Sequence, residues 1–197
     1  MEKHVLGLEL PTDPRWVDIA KKNIGDILTD HAYCEQKAAS SCISLIITYH
    51  DKDKLVEVLT PVVTEEWEHF GRVLLELKKR KLPLGFPRKD EYVEQLAKLI
   101  KKGGSRDQQM VERLLMNAII EARSCERFRL LWKEINDAEL SNFYFELMVS
   151  EAGHYKNFLV LAKEYGNPLE VHQRWHELLA QEAMIVKNLN VRGDRMH

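Results

Sequence analysis

The chain has 197 residues, 45% of them hydrophobic and 30% charged, with a formal net charge of −2. Those values suit one globular domain spanning residues 1–197 and exclude a disordered or fibrous chain. No apolar run is long enough to cross a bilayer and no stretch resembles the apolar part of a signal peptide, so a cytoplasmic protein without membrane contact is expected.

Gly and Pro are few (9 and 6), which favours long helices. Residues 1–12 read as an irregular lead-in. Asp13-Pro14 starts a short helix, Arg15 to Asn23, with Trp16, Ile19 and Ala20 inward and Gly25 as its break. The first long helix runs from Asp26 to His50 and the second from Lys54 to Leu82. Pro61 falls inside the second, where Thr60 offers a fresh cap, so a kink or short break is expected. Residues 83–105 hold Pro83, Gly85, Pro87 and Gly103-Gly104 around a short helix from Asp90 to Lys102. They read as a long crossover that sets the second and third long helices parallel. The third runs from Arg106 to Lys133 and the fourth from Ala138 to Tyr165, ended by Gly166-Asn167-Pro168. A last helix, Leu169 to Leu189, precedes a polar tail.

Two Glu-x-x-His pairs stand out, Glu66/His69 and Glu151/His154, and there is no third. Residues three apart share a helix face, so each pair points a carboxylate and an imidazole at one ion. The other two long helices each carry one glutamate on an apolar stripe. Glu35 lies between Leu28, Ala32 and Cys42, Leu45; Glu121 lies between Leu114, Ala118 and Cys125, Phe128. The spacings nearly repeat: 31 residues from Glu35 to Glu66 and 30 from Glu121 to Glu151. Four carboxylates meeting in a bundle interior are very costly unless cations compensate them. Two divalent ions would do so. The order E…ExxH…E…ExxH is that of a ferritin-like, all-α four-helix bundle holding two metal ions. Carboxylate and imidazole donors without thiolate suit iron or manganese. Glu66 and Glu151 are placed to bridge, with Glu35 and His69 on one ion and Glu121 and His154 on the other.

The remaining candidates read more plainly. Cys34, Cys42 and Cys125 form no CxxC and are expected as buried free thiols. His31 and Asn117 lie one turn from Glu35 and Glu121, within reach of a supporting hydrogen bond, and Tyr144 reads as a core tyrosine on the Glu151 face. His172 and His176 have no accompanying ligand pair and read as ordinary histidines. Residues 78–106 carry ten basic side chains (Lys78, Lys79, Arg80, Lys81, Arg88, Lys89, Lys98, Lys101, Lys102 and Arg106) and three acids, a net of +7 on an acidic chain. Such an island is expected to bind an anion, and a nucleic acid is the obvious large one.

The segments Asp30-His31-Ala32-Tyr33-Cys34-Glu35, Glu121-Ala122-Arg123-Ser124-Cys125-Glu126-Arg127-Phe128 and Ser150-Glu151-Ala152-Gly153-His154 resemble the tRNA 2-methylthio-isopentenyladenosine hydroxylases. The likeness covers nearly the whole chain and is most specific at residues 121–128. It implies a two-iron centre on Glu35, Glu66, His69, Glu121, Glu151 and His154, with dioxygen as co-substrate and electrons from a reductase. It further implies hydroxylation of the isopentenyl group on the modified adenosine beside the anticodon of tRNA. A monomer or dimer is expected. The competing reading is a ferroxidase or rubrerythrin-like protein that oxidises iron without an organic substrate.

Overall fold

A computed structural model describes residues 5–197; the first four residues of the lead-in lie outside the described residues. Seven α-helices follow a single turn at Val5–Gly7: α1 (Arg15–Ala20), α2 (Ile24–Thr48), α3 (Asp53–Lys79), α4 (Glu91–Leu99), α5 (Arg106–Glu134), α6 (Ala138–Tyr165) and α7 (Pro168–Asn188). At 1.5 Å per residue the four long helices are each about 40 Å long. Side-chain caps fix several starts. Asp90 accepts from the Val93 amide, Asp137 from Glu139 and Leu140, and Asn167 from Leu169 with Pro168 in the first turn. Ser105 and Gln108 form a reciprocal capping box at the start of α5. Each cap contributes about 1 kcal/mol.

Helix α2 packs along α3 and α5 along α6, each pair joined by a tight turn and hence antiparallel. Ion pairs fix how the pairs meet. Lys52–Asp107 (2.8 Å) and Arg106–Asp51 (2.7 Å) put the start of α5 beside the start of α3. Lys79–Glu139 and Arg80–Asp137 put the end of α3 beside the end of α5. Helices α3 and α5 are therefore parallel, and residues 80–105 form the crossover, as the sequence suggests. The pairs touch chiefly through α3 and α6, which leaves a groove between α2 and α5. Helix α7 lies outside the four, against α4, α5 and α6.

Four local expectations change. Helix α1 stops at Ala20, and Val17 rather than Ile19 turns inward; Ile19 is 37% exposed. Gly25 breaks nothing: it sits in the first turn of α2, where the Leu82 side chain approaches to 3.4 Å of the place a Cβ would occupy. Helix α3 runs unbroken through Pro61. That residue is on the exposed face, where water can take the freed carbonyl, and the Thr60 hydroxyl donates back to Val56 O (2.6 Å) instead of capping a new helix. The polar tail is no free tail: Met196 is fully buried, its amide donating to Asp30 Oδ2 (2.7 Å) and its carbonyl accepting from Arg127 (2.7 Å). Among the described residues no helix is long and apolar enough to cross a membrane.

Candidate metal centre

Near mid-length each long helix places a carboxylate on a face that elsewhere buries mostly apolar side chains. One cluster of buried apolar side chains includes Leu28, Val73, Phe128 and Leu147; another includes Leu45, Leu59, Leu114 and Phe158. Glu35, Glu66, His69, Glu121, Glu151 and His154 form the layer between them, none more than 6% exposed. Their ligand atoms fall into two groups within 4.8 Å: Glu35, Glu66, His69, Glu151 and Glu66, Glu121, Glu151, His154. Glu66 and Glu151 belong to both. His69 Nδ1 lies 3.3 Å from Glu151 and 3.5 Å from Glu35; His154 Nδ1 lies 2.9 Å from Glu66 and 3.0 Å from Glu151.

The electrostatics are those of a site built around positive charge. Burial and the Glu151 charge push Glu66 up to about 8 despite His154 and His69. Burial, with Glu151 and Glu66, pushes Glu121 well above the usual carboxylate range. Burial also works against a charge on His69, yet Glu151, Glu35 and Glu66 hold it up to about 12. His154 rises in the same way and Glu151 falls, since both imidazoles hydrogen-bond to it despite its burial. Both oxygens of Glu66, Glu151 Oε1 and His69 Nδ1 still have no well-directed hydrogen-bond partner. Buried polar atoms are almost always partnered. The donor set, its burial and these orphaned atoms fit two divalent ions, which would replace the imidazolium protons as counter-charge.

Supporting contacts surround the ligands. His31 Nε2 meets Glu35 Oε1 at 2.6 Å, and burial drives that imidazole down to about 3, so it donates as a neutral ring. Tyr144 stacks on His31 with ring centres 5.6 Å apart. Glu65 Oε2 meets His154 Nε2 at 2.8 Å. The sequence reading missed Glu65; its only signal is its place beside a ligand, on a helix face turned toward α6. A carboxylate on the outer nitrogen of a metal-binding imidazole typically governs metal affinity. Glu65→Gln should weaken binding at the His154 end by about 10–100-fold. A competition titration against a chelating dye checks this; unchanged affinity would make Glu65 a surface group only.

A cavity of about 130 Å³ ends on this layer. Ala38, Val93, Met116, Ile120 and Phe158 give it apolar walls, while Glu35, Glu66, Glu121 and Glu151 form its floor. It lies between α2 and α5, where Lys37, Ser41 and Asn117 also line it. Asn117 bonds not to a ligand but across the groove to Ser41, 3.2 Å from Nδ2 to Oγ.

The basic side chains of residues 78–106 do not form one surface. Lys79 and Arg80 sit at the α6 end, paired with Glu76, Glu139 and Asp137. Arg106 sits at the other end beside Asp51, Arg88 pairs with Asp26 and Asp194, Lys89 with Glu94 and Lys101 with Glu177. Lys78, Lys81, Lys98 and Lys102 form no ion pair among the described residues. Cys42 and Cys125 are buried and Cys34 half-buried, all free, and His172 and His176 are exposed.

Fold and site together define a ferritin-like protein whose buried Glu/His groups fit a metal site. The family model of tRNA-(MS[2]IO[6]A)-hydroxylase (MiaE) matches residues 1–197, and the chain belongs to that family. It is 34% identical to the tRNA 2-(methylsulfanyl)-N(6)-isopentenyladenosine(37) hydroxylase of Pseudomonas putida, over 92% of this chain and 87% of that protein. The hydroxylase of the same name from Salmonella typhimurium is 28% identical over 80% of this chain and 75% of its own length. Among solved structures, a Synechococcus protein described as having aldehyde deformylating oxygenase activity superposes with a TM-score of 0.90 at 34% identity, covering 96% of this chain and 94% of that one.

Proposed function

We propose that this chain is a two-iron monooxygenase that hydroxylates the isopentenyl group of 2-methylthio-isopentenyladenosine beside the anticodon of tRNA, with dioxygen as co-substrate and electrons from an external reductase. The observation that carries this reading is the small apolar cavity whose floor is the carboxylate layer. A buried apolar cavity near 150 Å³ admits a benzene-sized group, so about 130 Å³ is enough for a branched five-carbon tail.

Glu35, Glu66, His69, Glu121, Glu151 and His154 would hold the ions, Glu66 and Glu151 reaching both. When bound, iron supplies the oxidising power to insert oxygen from dioxygen into a C–H bond that no side chain here can attack. The chain's own residues do the positioning. Met116, Ile120, Val93 and Phe158 hold the tail and exclude water, which keeps the oxidant on the substrate. His31 fixes Glu35, and Glu65 fixes the His154 ring. Lys37, Ser41 and Asn117, which line the cavity, supply the donors for reading the base. The test is mass spectrometry of tRNA nucleosides after reaction under labelled dioxygen. One labelled atom on the prenyl fragment supports the reading; label on the ring, or none, overturns it. Iron oxidation without any labelled nucleoside would instead point to a ferroxidase.

The phosphate backbone is best met by Lys37, which lines the cavity, and by Lys89, next in sequence to the lining residue Asp90. Removing one phosphate-binding side chain should reduce the slope of log affinity against log salt by roughly 0.7–0.9. Reversing Lys37 and Lys89 to Glu should weaken tRNA binding and flatten that slope, while reversing Lys78 and Lys81 at the far end should do less. Equal effects would place the RNA elsewhere.

A further inference from the structure

A third set of ligand-type side chains stands apart from the two carboxylate groups: Cys34 on α2, Asp90 at the start of α4 and His197 in the segment after α7. We propose that Cys34, Asp90 and His197 form a mononuclear site for a zinc-class divalent cation, which clamps residues 189–197 against the mouth of the cavity.

The distances are those of a metal site. His197 Nδ1 lies 3.8 Å from Cys34 Sγ and 3.5 Å from Asp90 Oδ2. The second is too long for a hydrogen bond of ordinary strength, whose mode is near 2.9 Å. Both match the edges of a tetrahedron around zinc. With Zn–S near 2.3 Å and Zn–N and Zn–O near 2.0–2.2 Å, the S···N edge is about 3.6 Å and the N···O edge about 3.4 Å. The imidazole is also oriented for the purpose. Its Nε2 meets Ser124 Oγ at 2.9 Å, so a proton there leaves the Nδ1 lone pair facing the other two ligands. That is how an outer hydrogen bond fixes the tautomer of a metal-binding histidine. The ring further stacks on Tyr92, with centres 5.4 Å apart.

Asp90 divides its oxygens between two tasks. Oδ1 caps α4 through the Val93 amide at 3.0 Å, while Oδ2 faces His197. Among the described residues Lys37, with Nζ 3.9 Å from Oδ2, is the lysine or arginine paired with it; its side chain is 46% exposed and free to swing into water as a metal enters. Thiolate, imidazole and carboxylate together select zinc over magnesium or calcium. Three protein ligands leave a fourth position for water. Binding displaces the Cys34 thiol proton to solvent, and the thiolate and Asp90 carboxylate then neutralise the dication.

The position gives the site a consequence. Cys34, Asp90 and His197 all border the cavity that ends on the carboxylate layer. The segment carrying His197 already leans on the bundle through Trp16, whose indole donates to Arg195 O (3.1 Å), and through the Met196 bonds. A metal cross-link between α2, α4 and this segment would fix that wall of the cavity in place.

The experiment uses the full chain loaded with iron. Cobalt(II) is titrated in as the probe and followed by optical absorption, with metals counted by mass spectrometry. One cobalt beyond the two irons is expected, with a thiolate-to-cobalt charge-transfer band that Cys34→Ser abolishes at unchanged iron content. Ser124→Ala, which leaves all three ligands, should weaken cobalt binding by about 10–100-fold. Zinc should slow amide exchange in residues 189–197 of the unaltered chain and not of Cys34→Ser. A charge-transfer band that persists in Cys34→Ser, or no third metal at all, overturns the site. A third metal without added protection of residues 189–197 overturns the clamp.

Discussion

Glu151→Ala should leave the chain with essentially no bound metal, where the unaltered protein is expected to take up two ions. Glu151 belongs to both ligand groups, and its oxygens lie 3.3 Å from His69 Nδ1 and 3.0 Å from His154 Nδ1. Its removal takes a donor from each ion at once and leaves Glu66 and Glu121 facing one another across a buried gap. Glu35→Ala, by contrast, takes a donor from one group only, so the ion beside His154 should survive it. Iron analysis on the purified variants separates the cases. Two ions retained in Glu151→Ala would sink the assignment of Glu151 as a shared ligand.

Metal and proton compete for this layer, which gives a second readout of the same site. In the metal-free chain His69 is raised from 6.5 to about 12, so its contribution to stability is complete below about pH 6.5 and is lost as pH rises toward 12. Glu66 is raised from 4.5 to about 8, so stability falls as pH climbs through that window and its buried charge appears. Between pH 6.5 and 8 both act in the same direction. The chelated protein should therefore melt at a lower temperature at pH 8 than at pH 6.5, and metal should largely remove the difference. A flat or rising melting temperature in chelator would contradict these ionisations.

The other large effect concerns the cavity. Ala38→Phe should reduce hydroxylation of prenylated tRNA by at least about 100-fold, a barrier rise near 2.7 kcal/mol. Ala38 lines the groove between α2 and α5, and a benzyl group there fills most of about 130 Å³. The six ligands do not include it, so iron content should stay at two. Binding of tRNA should persist, because phosphates are met outside the cavity. Loss of activity together with iron would make the variant a folding defect rather than a blocked pocket. Unchanged activity would put the prenyl group somewhere else.

Much of this was legible in the one-dimensional chain because helices have a fixed period. A residue's face follows from its number, so the stripes through Glu35, Glu66, Glu121 and Glu151 identify inward carboxylates before any coordinate is known. The same holds for the element order, since Asp137, Asn167-Pro168 and Ser105 act within one turn of the helices they start. Even the crossover could be read, from the cluster of Pro and Gly between two long periodic segments. The family followed from the segments around the ligands.

What remained hidden depends on contacts between residues far apart in the chain. Periodicity says nothing of an irregular segment, so nothing in Val191–His197 announced that Met196 would be buried against Asp30 or that His197 would meet Cys34, 163 residues away. Charge counting along the chain joined Lys79 and Arg106 in one island, yet the crossover spans the bundle and puts them at opposite ends, each beside acids. Pro61 looked like a break because a lost hydrogen bond is counted locally; its exposure decided that the helix continues. The amino-acid sequence by itself determined which groups face inward at mid-helix, because that follows from a local repeat. Only the tertiary structure decided how far α2 stands from α5, and hence the cavity above the carboxylates, because that spacing is set by packing between helices and not by the period within any one of them.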